Sequence, residues 1–137
     1  MTPSFIGAQP ATYTADGTTV SPLGDIIDEA FGLVNSLDTA GREKAVLGSA
    51  PIDLVLGPGQ DCKTIQAEGL PGSAMSAEQQ AAFLQLISEY GGLANDTLSA
   101  PRQAQLKADL AQTYLAWYGP TTTGSAAYFR VTGPHIV

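Results

Sequence analysis

Tyr128-Phe129-Arg130-Val131-Thr132-Gly133-Pro134-His135-Ile136-Val137 is the stretch on which the fold turns. Through Thr132 the residues alternate and are rich in aromatic and β-branched types, as a half-buried strand requires. Gly133-Pro134 is turn chemistry, and His135-Ile136-Val137 then reads as the opening of another strand. Ending on two β-branched apolar residues reads as a truncated C-terminus, because a terminus is ordinarily solvated and frayed. Upstream, Leu115-Ala116-Trp117-Tyr118 has the same strand character, and the run at 119–126 is a connecting loop. The expectation is an antiparallel pair with one face in need of a cover.

Helices supply that cover. Leu23, Ile26, Ile27, Ala30, Phe31, Val34 and Leu37 recur at helical spacing from Asp25 onward. Gly32 costs such a helix ~1 kcal/mol relative to Ala, so close packing is its expected reason. Asp38 has the character of an N-cap for a second helix over 39–47, ended by Gly48. Ser76-Ala77-Glu78-Gln79 is a capping box ahead of the apolar stripe Phe83, Leu86, Ile87 and Tyr90, which Gly91-Gly92 ends. Ser99 and Pro101 open a further helix, with Leu106, Leu110, Tyr114 and Trp117 on its buried face. Before residue 25, turn residues at Ala15-Asp16-Gly17 separate two short β-forming runs, an irregular hairpin or two edge strands. Ile52-Asp53-Leu54-Val55-Leu56 reads as a helical turn or a buried strand. Gly57-Pro58-Gly59 closes it as a turn, since the order and context of a phosphate-binding loop are missing. The fold class is α+β, with helices packed on one face of a small antiparallel sheet, as a single unit over 1–137.

Composition narrows the function classes. Thirteen acidic residues against six basic ones give a formal charge of -7, which repels phosphate backbones and anionic lipid. No nucleic acid is expected as a partner. No run approaches the ~18 apolar residues of a membrane span, so no membrane insertion is expected either. Cys62 is the single cysteine, which excludes an intrachain disulfide and a multi-cysteine zinc site. Few lysines, abundant small polar residues and the sequon Asn95-Asp96-Thr97 fit an extracytoplasmic or secreted protein.

An ordered set of motifs carries a resemblance. It comprises Thr2-Pro3-Ser4-Phe5-Ile6-Gly7-Ala8-Gln9-Pro10-Ala11, Leu37-Asp38 with Arg42-Glu43-Lys44-Ala45-Val46, Glu68-Gly69-Leu70-Pro71, and Met75-Ser76-Ala77-Glu78-Gln79. Leu115-Ala116-Trp117-Tyr118-Gly119 and Tyr128-Phe129-Arg130-Val131-Thr132-Gly133-Pro134 complete it. Together these resemble the second half of the domain-of-unknown-function 3500 family, with Gly41 standing where Gln is commoner. The resemblance implies one half of a duplicated, often exported domain whose sequence continues beyond this segment. It implies no established activity.

The residues that carry chemistry are few. His135, the single histidine, follows a turn where its ring can enter a cleft. With carboxylates it would ligate a divalent metal, if other ligands came from sequence not present here. Asp25, Asp28 and Glu29 cluster, which helix-start electrostatics explains without function. Trp117, Tyr118, Tyr128 and Phe129 put four aromatics on two strands, and alternation sends one of each pair inward and the other outward. Core packing with cross-strand pairing accounts for them, or the outward set stacks on a sugar or peptide. Arg130 between them is expected on the polar side. The ligand-binding candidates are therefore Trp117, Tyr118, Tyr128 and Arg130, and the metal candidate is His135. Two functions follow. The first is a non-catalytic structural or interaction module, whose partner is the remainder of its own domain or another protein subunit. The alternative is a fragment of a metal-dependent hydrolase-like enzyme with His135 as one ligand.

Overall fold

The computed structural model describes residues 6–57, 59–60, 63–91 and 96–137. Cys62, Pro58 and Asn95 of the sequon lie outside them. The described chain begins with a hairpin, β1 (Tyr13–Ala15) and β2 (Thr18–Val20), paired antiparallel across Asp16-Gly17. Both turn residues have positive φ, the geometry of a tight hairpin turn. Then come α1 (Gly24–Ser36), α2 (Thr39–Ala45), β3 (Val46–Gly48), β4 (Leu70–Pro71), α3 (Ala77–Gly91), α4 (Asp96–Asp109), β5 (Tyr114–Tyr118) and β6 (Tyr128–Thr132).

β5 is the axis of the second sheet. β6 pairs with it antiparallel along its whole length, Tyr114 opposite Thr132 and Tyr118 opposite Tyr128. On its other side β4 pairs antiparallel with the first half of β5, and β3 pairs parallel with the second half. The expected antiparallel sheet is therefore mostly so, with one parallel pair. The second helix also stops at Ala45 rather than residue 47, because Val46, Leu47 and Gly48 are spent on that pairing.

Alternation along β5 and β6 makes two faces. Leu115, Trp117, Phe129 and Val131 face the helices. The core joins them to Phe31, Leu33 and Val34 of α1, Phe83, Leu86 and Ile87 of α3, Leu106 of α4, and Leu110. The α+β expectation holds, with the helical layer over one sheet face. Helix ends are capped as the sequence directs. Asp38 Oδ1 accepts from the Gly41 N–H at 2.7 Å. In the capping box the Ser76 N–H donates to Gln79 Oε1 at 2.9 Å and the Gln79 N–H to Ser76 Oγ at 3.3 Å. Gln79 also donates to the Ser36 carbonyl, which fixes the start of α3 against the end of α1.

Four further expectations differ from the fold. Residues 52–56 form an irregular segment, neither helix nor strand, in which Ile52 and Asp53 are exposed while Leu54, Val55 and Leu56 line a cavity. Pro101 lies inside α4, which starts at Asp96 rather than Ser99. Gly32 faces open space, so no close approach requires it. His135-Ile136-Val137 does not begin a strand, since the Gly133 N–H donates to the Ile136 carbonyl at 2.9 Å and closes a turn. Among the described residues no helix is long and apolar enough to cross a membrane.

Candidate functional site

The strand pair separates the four aromatics. Trp117 is 1% exposed and points into the helical layer. It meets Phe31 edge-on at 5.0 Å and stacks on Phe129 at 6.2 Å. Its Nε1–H donates to the carbonyls of Gly119 and Pro120. Trp117 is thus core rather than part of an outward ligand face, because the odd-numbered positions of β5 are the ones α1 covers. Tyr118 and Tyr128 stay on the opposite face as a cross-strand pair, with ring centroids 6.0 Å apart.

Arg130 shares that second face, as alternation predicts, and is buried there. Its side chain is 8% exposed. Nη2 donates to Glu68 Oε2 at 2.9 Å, and the Tyr118 hydroxyl donates to the same oxygen at 3.3 Å. Nε is buried without a hydrogen-bond partner among the described residues. An unsatisfied buried donor of this kind costs roughly 1–3 kcal/mol. Burial pushes both phenols up from their ordinary pKa, while the neighbouring guanidinium pulls them down.

Glu68 reaches Arg130 because of the residues after it. Gly69 has φ +98°, and a Cβ there would strike the Leu115 carbonyl. Only glycine lets the chain lie this close to β5. Leu70 then pairs with Leu115 and enters the core. The Gly72 N–H donates to the Thr113 carbonyl at 2.8 Å. The Gly-Leu-Pro motif is therefore a device for laying β4 on the central strand, and Glu68 is delivered to Arg130 by it.

A cavity of about 170 Å³ runs along the margin of β6 away from β5. Ile87, Tyr90 and Leu106 wall it from the helices, Phe129 and Val131 from β6, and Leu54, Val55 and Leu56 from the loop. Arg102 and Arg130 border it. Tyr90 meets Phe129 edge-on at 6.4 Å, and burial pushes its phenol up.

His135 stands elsewhere. Its Nδ1 lies 2.6 Å from Asp109 Oδ2, with the His135 side chain 59% exposed and that of Asp109 14%. Gln105 Nε2 donates to the same Asp109 oxygen at 3.0 Å. The structure thus brings one carboxylate to His135 and does not join it to the aromatic and arginine residues. Among the described residues no three His, Cys, Asp or Glu side chains gather as a metal would need. Asp25, Asp28 and Glu29 stay on α1, with Asp25 in its first turn.

The Gln105 amide, and after it His135, holds the Asp109 carboxyl below its ordinary value. A carboxyl depressed by folding stabilises the native state above its unfolded pKa, about 3.9, and loses that contribution as pH falls through its folded value. Urea midpoints from about pH 6 down to about pH 2 should therefore fall less steeply below about pH 4 in Asp109→Asn than in the parent. Parallel profiles would show that the pair carries no linkage.

Glu68, Asp109, Tyr90 and Arg102 were not legible as site residues. Each is brought to its partner by long-range packing, and only Glu68 carried a local signal, its place beside Gly69-Leu70-Pro71. No curated protein and no solved structure matches the chain. The family model described as protein of unknown function (DUF3500) matches residues 1–137. The ordered motifs, the Gly-Leu-Pro contact with the central strand and this full-length match make the chain a member of the DUF3500 family.

Proposed function

We infer that this protein is a non-catalytic interaction module that uses β6 as its docking edge. One observation carries the reading: among the described residues, β6 makes backbone pairing with β5 alone. A strand edge without backbone pairing is a template for a further strand, which here would displace the loop that carries Leu54, Val55 and Leu56. Apolar residues beside it supply pockets for alternate side chains of an added strand. The partner is a polypeptide, either the remainder of the same domain or another subunit. The acidic charge and the abundance of small polar residues favour an extracytoplasmic or secreted setting for it. The enzyme reading has less support, because His135 has Asp109 beside it but no further ligating group among the described residues.

Amide hydrogen exchange tests this. In dilute monomer, the β6 amides that face away from β5 should exchange at least about a hundredfold faster than those of β5. They should gain protection at concentrations where light scattering shows association, or in a longer polypeptide that continues the domain. A monomer whose β6 amides are all as protected as those of β5 would sink the reading.

A further inference from the structure

Two of the chain's six basic residues, Arg102 and Arg130, border a single apolar cavity, and none of the described acidic residues lines it. In a protein of net charge -7 two guanidinium groups at one cavity stand out, although Glu68 compensates the charge of Arg130. The walls are hydrocarbon and aromatic: Ile87 and Leu106 from the helices, Phe129 and Val131 from β6. The space is about 170 Å³. An apolar cavity of about 150 Å³ holds a benzene molecule. A phenyl ring or an aliphatic chain of similar bulk therefore fits.

The polar border determines what such a body must carry. Arg130 is nine-tenths buried and Glu68 occupies its Nη2. Its Nε is sealed from the cavity, so Nη1 is the donor it has left for a ligand beside the Arg102 guanidinium. A guanidinium presents five donors in a planar fork, and a carboxylate returns two acceptor oxygens. A desolvated cation at the border of an apolar space selects an anion with an apolar body. Inorganic phosphate has no apolar surface for the walls, and an amine is repelled by both arginines.

We propose that this cavity binds a small monocarboxylate with an aromatic or short aliphatic body. The carboxylate faces Arg130 and Arg102, and the body lies against Ile87, Leu106, Phe129 and Val131. A strand added on β6 would place side chains in the same space, so the acid and such a strand compete for it. The site differs from the outward aromatic face anticipated from alternation, because Trp117 takes no part.

The test is a methyl-detected NMR titration of the full chain near neutral pH with 3-phenylpropanoate and hexanoate, each beside its neutral primary amide. Each acid should bind about tenfold or more tightly than its amide, with shifts concentrated at Ile87, Leu106 and Val131. Val131→Phe fills the cavity and should abolish binding. Arg102→Ala, at an exposed helix position, should weaken it severalfold. Arg130→Lys keeps the charge but loses the fork, and should weaken it about tenfold. If Arg130→Lys does not fold, the acid-to-amide ratio on the parent protein decides together with Val131→Phe. Equal affinity for acid and amide, no shifts at about 10 mM of either acid, or binding that survives Val131→Phe overturns the proposal. The exchange test of β6 is run without ligand, so either idea can fail alone.

Discussion

Gly69→Ala should be the most damaging single-methyl change in the protein, removing at least about 4 kcal/mol of stability. Two costs add. The backbone at Gly69 sits at φ +98°, and left-handed geometry costs a residue with a Cβ roughly 1–2 kcal/mol. The new methyl group would also meet the Leu115 carbonyl and the Ala116 Cα. These are backbone atoms of the central strand, so no side chain can swing aside. Relief requires β4 to leave β5, which undoes the Leu70–Leu115 pairing and withdraws Glu68 from Arg130. A small domain has only about 5–15 kcal/mol to lose. Gly124 provides the control. Its φ is +85°, but nothing lies within 4 Å of a Cβ placed there. Gly124→Ala should therefore cost about 1–2 kcal/mol, the conformational part alone. Urea unfolding followed by Trp117 fluorescence measures both variants. Equal losses would show that the Gly69 contact with β5 relaxes freely.

The same glycine shows how far the sequence could be read. Its motif was visible as a family pattern, but its reason is a contact 46 positions away, and no local pattern encodes that separation. Periodic elements were legible because period is local: the stripe of α3, its Ser76–Gln79 box and the alternation of β5 and β6 all appear in the fold. Val46 and Leu47 read as the end of a helix because their role is set by a parallel partner some 70 positions later. Arg130 takes the face that alternation assigns it, but its burial there was not legible for a related reason. Alternation fixes which face a side chain takes, not what covers that face. Here Glu68 closes over it, and the cavity lined by Leu54, Val55 and Leu56 lies beside it. His135 was singled out as the one histidine, while its partner Asp109 was invisible without the turn that brings Gly133 and Ile136 together.

Trp117→Ala should cost about 3–5 kcal/mol, the range for truncating a buried large aromatic. The indole is 1% exposed and touches both layers, edge-on to Phe31 of α1 and stacked on Phe129 of β6. Truncation therefore opens a void where helix and sheet meet, and neither layer can collapse into it without breaking β5 pairing. The carbonyls of Gly119 and Pro120 lose their Nε1–H donor as well. Trp117→Phe separates these effects. It keeps an aromatic between Phe31 and Phe129 but leaves the carbonyls without the indole donor, so about 1–3 kcal/mol is expected. Tyr118→Ala is the instructive neighbour. Its ring is half-buried on the opposite face, and the loss should be smaller than for Trp117→Ala by about 1 kcal/mol or more. The order of these losses, read from urea midpoints and slopes, decides whether the aromatics of β5 divide between core and surface as their register requires. If Tyr118→Ala proved as costly as Trp117→Ala, the outer face would be a second core rather than a surface open to a partner.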